Sequence, residues 1–182
     1  MTVFYSTPYK AGDIGGGINE FVELLPNDAW VCIRDADTLF LHSEQQPTIE
    51  RIAASNPPFD VISCMTNRLR SGVQCHEGQI DDSSDMRKHF DIAYTRLANH
   101  DTSLMEVPWQ HTAGMMLLFR KSTWGAFPFP ERTARFDGLW AQQIAANGGR
   151  FALAIGIYLW HSYRFGHADP ANYHEHLKGA GV

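Results

Sequence analysis

The chain has 182 residues, 44% of them hydrophobic and 19% charged, and carries a formal net charge of -5. That is enough chain to bury one core, and too apolar to be a disordered polymer. The acidic balance excludes a broad nucleic-acid-binding surface and leaves room only for a local basic groove.

Residues 2–6 are rich in β-branched and aromatic types and predict a strand. Residues 8–17, with four glycines, read as a loop. Apolar residues at 18, 21, 22 and 25 have helical spacing, and Pro26-Asn27-Asp28 stops that helix. Residues 30–33 form a continuous apolar run, the pattern of a strand buried on both faces. It ends directly in Arg34-Asp35-Ala36-Asp37. A short helix over 48–54 precedes Asn56-Pro57-Pro58, and 59–65 predict another buried strand. Residues 66–84 are polar and irregular. A helix follows over 84–99, with apolar positions at 86, 90, 93, 94 and 97.

The stretch 111–119 predicts a strand entered through Trp109, then a helical turn over 121–127 that ends at Pro128 and Pro130. Residues 137–146 predict a helix stopped by Gly148-Gly149. Residues 151–158 predict a strand ending near Trp160-His161. Alternating strands and helices argue an α/β layered domain with a mixed, Rossmann-like central sheet. The domain is expected over 1–165. The polar tail over 166–182, which holds His167, His174 and His176, is expected to be mobile and able to close over a ligand.

Cys32, Cys64 and Cys75 are an odd set without C-x-x-C spacing. Cys32 and Cys64 lie in apolar runs and read as small buried hydrophobes. A cytoplasmic location fits this usage, and residues 1–5 lack the basic start of a signal peptide. The longest apolar stretch, 151–160, falls short of the roughly 20 residues a bilayer span needs, so no membrane span is expected.

Two carboxylates flanking one small residue, just after a buried strand, read as a metal site. Ligands of open α/β sheets bind beyond the carboxyl ends of strands. The small Ala36 keeps the turn tight, so that Asp35 and Asp37 can approach one hard cation, Mn²⁺ or Mg²⁺. The plainer reading is a surface turn. Arg34 balances the charge of the triplet. His161 is either a histidine satisfied by hydrogen bonds at a strand end or a third, neutral imidazole ligand. Asp137 is either a helix N-cap or an acceptor-side acid. Glu131 is a weaker candidate for that acid.

The segment Asp13-Ile14-Gly15-Gly16-Gly17-Ile18-Asn19, followed by a helix and by Trp30-Val31-Cys32-Ile33-Arg34-Asp35-Ala36-Asp37, resembles family-2 type glycosyltransferases of the A-type fold. In that family an Asn-x-Gly…Asn loop and helix precede a strand ending in the Asp-x-Asp metal motif. Gly15 and Asn19 match, while Asp13 stands for the usual Asn. Ala113-Gly114-Met115 resembles the family's Ala-Gly-Gly strand, with Met115 in place of the second glycine. Phe136-Asp137-Gly138-Leu139-Trp140 is similar to its acidic acceptor-side motif, with Phe136 for the first acid of the usual Glu-Asp pair. His161 falls where polypeptide N-acetylgalactosaminyltransferases, among others, have a metal-binding histidine.

The resemblance implies a metal-dependent glycosyltransferase with a sugar-nucleotide donor, a UDP-sugar by preference. It implies Asp35, Asp37 and His161 on Mn²⁺ or Mg²⁺. Lys10, Gly15, Gly16, Asn19, Arg34, Asp35 and Gly114 would lie about the donor, and Asp137 would face the acceptor as base or as positioning group. Residues 66–110 would wall the acceptor site, with Trp109 either a stacking surface for sugar or a core residue. Only 34 residues precede Asp35, fewer than the family uses to hold the nucleotide base. A reduced base pocket, or one completed by a homo-oligomer contact or another partner, is therefore expected. Two other classes stand beside this one. One is a different Mg²⁺/Mn²⁺-dependent nucleotide enzyme, a nucleotidyltransferase or pyrophosphatase, with Asp81, Asp82 and Asp85 as further acids. The other is a catalytically inactive sugar-nucleotide-binding module.

Overall fold

The apolar runs become the inner strands of one sheet. The computed structural model describes residues 2–69 and 71–162. In chain order the strands are β1 (Val3–Ser6), β2 (Trp30–Arg34), β3 (Thr38–Phe40), β4 (Val61–Thr66), β5 (Leu104–Val107), β6 (Met116–Arg120) and β7 (Phe151–His161). The helices are α1 (Ile14–Glu23), α2 (Gln45–Ala54), α3 (Met86–His100), α4 (Lys121–Ala126) and α5 (Phe136–Ala146). Short 3₁₀ turns lie at Gly72–Gln74, His76–Gly78 and Trp109–His111.

Among the described residues the seven strands make one mixed sheet, ordered β1-β2-β6-β4-β7-β3, with β5 also paired to β7. β1, β2, β4 and β7 point one way, and β3, β5 and β6 the other. The fold is thus a single α/β domain with a mixed, Rossmann-like sheet between helices, as the alternating pattern predicts.

Inner strands are apolar on both faces, because both are covered. Val31, Ile33, Leu117 and Phe119 pack with Ile18 and Val22 of α1 and with Trp140 and Ile144 of α5. Their neighbours Trp30, Cys32, Met116 and Leu118 pack on the other face with Ile49 and Ile52 of α2. Trp140 stacks on Phe129 at 4.1 Å between centroids and meets Phe119 edge-on at 5.0 Å. All three cysteines are buried, Cys75 included.

β7 is the long spine. One side runs parallel to β4; the other is shared, antiparallel, by β5 over its first half and by β3 over its last residues. Between the two halves its register with β4 shifts, from Cys64↔Ala154 to Met65↔Tyr158. Gly156 sits in that bulge, where a Cβ would lie 2.2 Å from the Asp101 carbonyl oxygen, so only glycine fits. Arg96 Nη1 donates to the Ile155 carbonyl at 2.9 Å, satisfying a group the bulge releases from the ladder.

The structure corrects four local expectations. α1 begins at Ile14, so Gly15, Gly16 and Gly17 are helical and not loop. The predicted strand over 111–119 shortens to β6, because Trp109–His111 turns before it. β3 and β5 are strands that the sequence pattern did not announce. β2 also passes straight to β3 without an intervening helix. The expected mobile tail, with His167, His174 and His176, and the boundary at 165 lie outside the described residues.

Candidate metal centre

The parallel strands bring their carboxyl ends to one edge of the sheet, where Asp35 follows β2 and His161 ends β7. The Asp35 N–H donates to the Met115 carbonyl at 2.9 Å. The Asp35 carbonyl accepts from Thr38 N–H at 3.2 Å and from Thr38 Oγ1 at 2.7 Å. Arg34 Nη1 donates to the Thr38 carbonyl, so Arg34 braces this turn with its charge beside the triplet. Thr38 is the register partner of His161. The tight turn therefore delivers Asp37 to the histidine. Asp35, Asp37 and His161 each offer a ligand atom, all within 4.8 Å of one another.

His161 is buried, and its ring orientation is constrained. Its Nδ1 lies 3.1 Å from the Arg68 carbonyl, an acceptor that a proton on Nδ1 would satisfy. Nε2 then turns to Asp37 Oδ1 at 3.4 Å. The two groups face one another as partners in a hydrogen bond or as co-ligands of one cation. An imidazole fixed by the backbone beside two carboxylates is a donor set that suits a divalent cation.

The electrostatics agree. Burial first, then the charges of Asp37 and Asp137, push the Asp35 carboxyl up to about 7, against an opposing pull from His161. Among the described residues none donates a hydrogen bond to that carboxylate. For Asp37, burial pulls upward, but the hydrogen bond and charge of His161 win and hold its carboxyl below the usual range. Two neighbouring acids with opposite shifts mark a site where carboxylates are crowded around one imidazole.

Asp137 lies in the first turn of α5. Its Oδ2 accepts from Gly114 N–H at 3.0 Å and its Oδ1 from Gly138 N–H at 2.7 Å. A Cβ at Gly114 would stand 2.8 Å from Oδ2. The glycine of the Ala-Gly pair thus lets an acidic side chain rest on the start of β6. Met115, in place of the expected second glycine, is 1% exposed and packs in the core on the α2 face.

At the start of α1 the polar groups are used by the protein itself. Asp13 caps the helix: its Oδ1 accepts from Gly16 N–H at 3.0 Å and from Arg132 N–H at 2.8 Å. Lys10 pairs with Glu20 at 2.6 Å and with Asp13 at 3.5 Å. A Cβ on Gly15 would lie 2.0 Å from the Pro130 carbonyl oxygen, and one on Gly16 would lie 2.2 Å from Asp13 Oδ2. Asn19 accepts from Trp124 Nε1 and Phe129 N–H and donates to the Phe129 carbonyl and Glu131. These residues tie α1 to the 127–132 loop.

The acids of the 66–85 stretch are also engaged. Asp81 pairs with Lys88 at 2.7 Å, Asp82 with Arg68, and Asp85 caps α3. Among the described residues the Asp35-Asp37-His161 group is the one cluster of three metal-ligating side chains. Sequence reasoning missed Asn67, whose Oδ1 accepts from His161 N–H at 2.7 Å, and the Arg68 carbonyl. It also missed Ser71, 3.2 Å from His111 Nδ1. These contacts join segments far apart in the chain and leave no local signature. Among the described residues no helix is long and apolar enough to cross a membrane. No known family model matches the sequence, and no curated protein matches it.

Proposed function

We propose that the chain is a metal-dependent glycosyltransferase that moves a sugar from a nucleotide-diphosphate donor to a hydroxyl acceptor. The observation that carries the reading is the convergence of Asp35, Asp37 and His161 at the carboxyl edge of the sheet, with Asp137 near enough for its charge to bear on Asp35. This is the constellation that the resemblance to family-2 type, A-type-fold enzymes implies.

A divalent ion on these three residues would neutralise the donor diphosphate and stabilise it as leaving group. The protein's own residues supply the rest. The Asp35-Thr38 turn and the Arg68 carbonyl hold the ligands in place, so little reorganisation accompanies donor binding. Asp137, anchored on two backbone N–H groups, faces the acceptor hydroxyl. It takes that proton in an inverting course or orients the hydroxyl in a retaining one. Gly114 keeps the surface beside it low enough for the donor sugar. Arg34 shapes the donor end, Lys10, Gly15, Gly16 and Asn19 hold the start of α1 beside it, and the 66–110 segment walls the acceptor.

The competing two-metal chemistry would need further acids, and Asp81, Asp82 and Asp85 are already paired or capping. Incubation with a panel of sugar nucleotides and Mn²⁺ decides among the classes. Release of nucleoside diphosphate with free or transferred sugar is the expected result. Monophosphate products would point to a nucleotidyltransferase or pyrophosphatase, and binding without turnover to an inactive module. Equal Mn²⁺ affinity of the wild type and Asp37→Ala would overturn the metal assignment itself.

A further inference from the structure

We infer that the Asn67-Arg68 turn after β4 sets the position and the tautomer of His161, with Asn67 as the positioning side chain. The inference rests on the metal-site reading above and adds a residue to it.

Asn67 is fully buried, and a buried amide must find partners for both its ends. Its Oδ1 accepts from His161 N–H at 2.7 Å and from Thr66 Oγ1 at 3.3 Å. Its Nδ2 donates to the Asp81 carbonyl at 3.2 Å, and its own carbonyl accepts from Asp81 N–H at 2.8 Å. The reason an amide is needed lies in the ladder. Backbone pairing of β4 with β7 ends at Thr66↔Leu159, two residues before His161. The side chain of Asn67 reaches across where that pairing has stopped and holds the strand end. The next residue then presents its carbonyl to the ring at Nδ1. One turn thus fixes the backbone through a side chain and the imidazole through a backbone oxygen. Hydrogen bonds of this kind orient metal-bound histidines and raise their basicity.

A residue that merely closed the sheet would affect stability without acting through the imidazole. Two measurements separate the cases. First, ¹⁵N NMR of the Mg²⁺-loaded wild type should show His161 protonated at Nδ1. A ring protonated at Nε2 overturns the inference, whatever the fate of any variant. Second, Mn²⁺ titrations should show Asn67→Ala or, if that variant does not fold, Asn67→Ser binding roughly 10–100-fold more weakly than wild type. The same substitution in a His161→Ala background should cost less than about twofold, because the residue through which it acts is gone. Equal losses in both backgrounds, or no loss in either, overturn the role of Asn67 while leaving the metal site standing. A wild type that binds no Mn²⁺ removes the metal reading, and the inference with it.

Discussion

The two polar regions of this domain begin from similar raw material, charged or amide side chains beside small residues, and end in opposite states. At the start of α1, Lys10, Asp13 and Asn19 are spent on one another, on Glu20 and on the 127–132 loop. At the carboxyl ends of β2 and β7, Asp35, Asp37 and His161 face each other with negative charge left over. The first region holds the fold together. The second crowds two carboxylates, and burial and Asp37 disfavour the charge of Asp35. Proximity of polar residues does not distinguish them; the balance of partners does.

The largest effect should come from Asp35→Asn. It should cost more than the roughly 100-fold in Mn²⁺ affinity that outer contacts reach. It should also raise the metal-free melting temperature at pH 7.5, by removing a crowded buried charge. If both quantities fall, the comparison breaks, because Asp35 would then be structural like Asp13. Gly114→Ala drives a methyl into the Asp137 carboxylate, and turnover should fall by about 10²-fold, the scale on which misplaced catalytic groups act. Its Mn²⁺ affinity should change little.

The pH dependence sharpens the contrast. The Asp35 carboxyl sits at about 7 in the fold against an ordinary value of 3.8. The folded chain therefore holds a proton that the unfolded chain has lost, and Asp35's contribution to metal-free stability falls as pH rises between those values. Mn²⁺ must displace that proton, so its affinity should climb toward a plateau above pH 7, by at most about tenfold per pH unit. An affinity flat from pH 5.5 to 8 would place the ion elsewhere. Gly15→Ala should cost about 1–3 kcal/mol in denaturant unfolding, because its methyl meets a backbone carbonyl, with Mn²⁺ affinity unchanged. Lys10→Met should have the smallest effect, with no measurable change in melting temperature. A donor KM raised by about tenfold or more would move Lys10 from the structural region to the donor site.

The inner strands were legible because Trp30 to Ile33 and Phe151 to Tyr158 are unbroken apolar runs, and only doubly covered strands need them. β3 and β5 were not. Leu39, Met105 and Glu106 point their side chains to solvent, and strands of three and four residues are too short to show a period. Gly15 to Gly17 read as loop because glycine weakens helices. Here Asp13 caps the helix, and the Pro130 carbonyl and Lys10 pack where side chains would stand. For the site, Asp35, Asp37 and His161 were visible from strand ends and resemblance. Asn67 was not, since its meaning comes from a register that stops at Thr66, and a register is a property of two strands together.

The long β7 spine also has a bearing on how the protein is made. This strand inserts between β4 and the pair β3 and β5, and it delivers His161 to a turn 124 positions earlier in the chain. Contacts of such separation form late, after the closure entropy of the long intervening loop has been overcome. A nascent chain therefore carries its two aspartates long before His161 joins them. Under the proposed function, metal capture would be deferred until synthesis has passed β7, and would then latch that strand to the turn after β2.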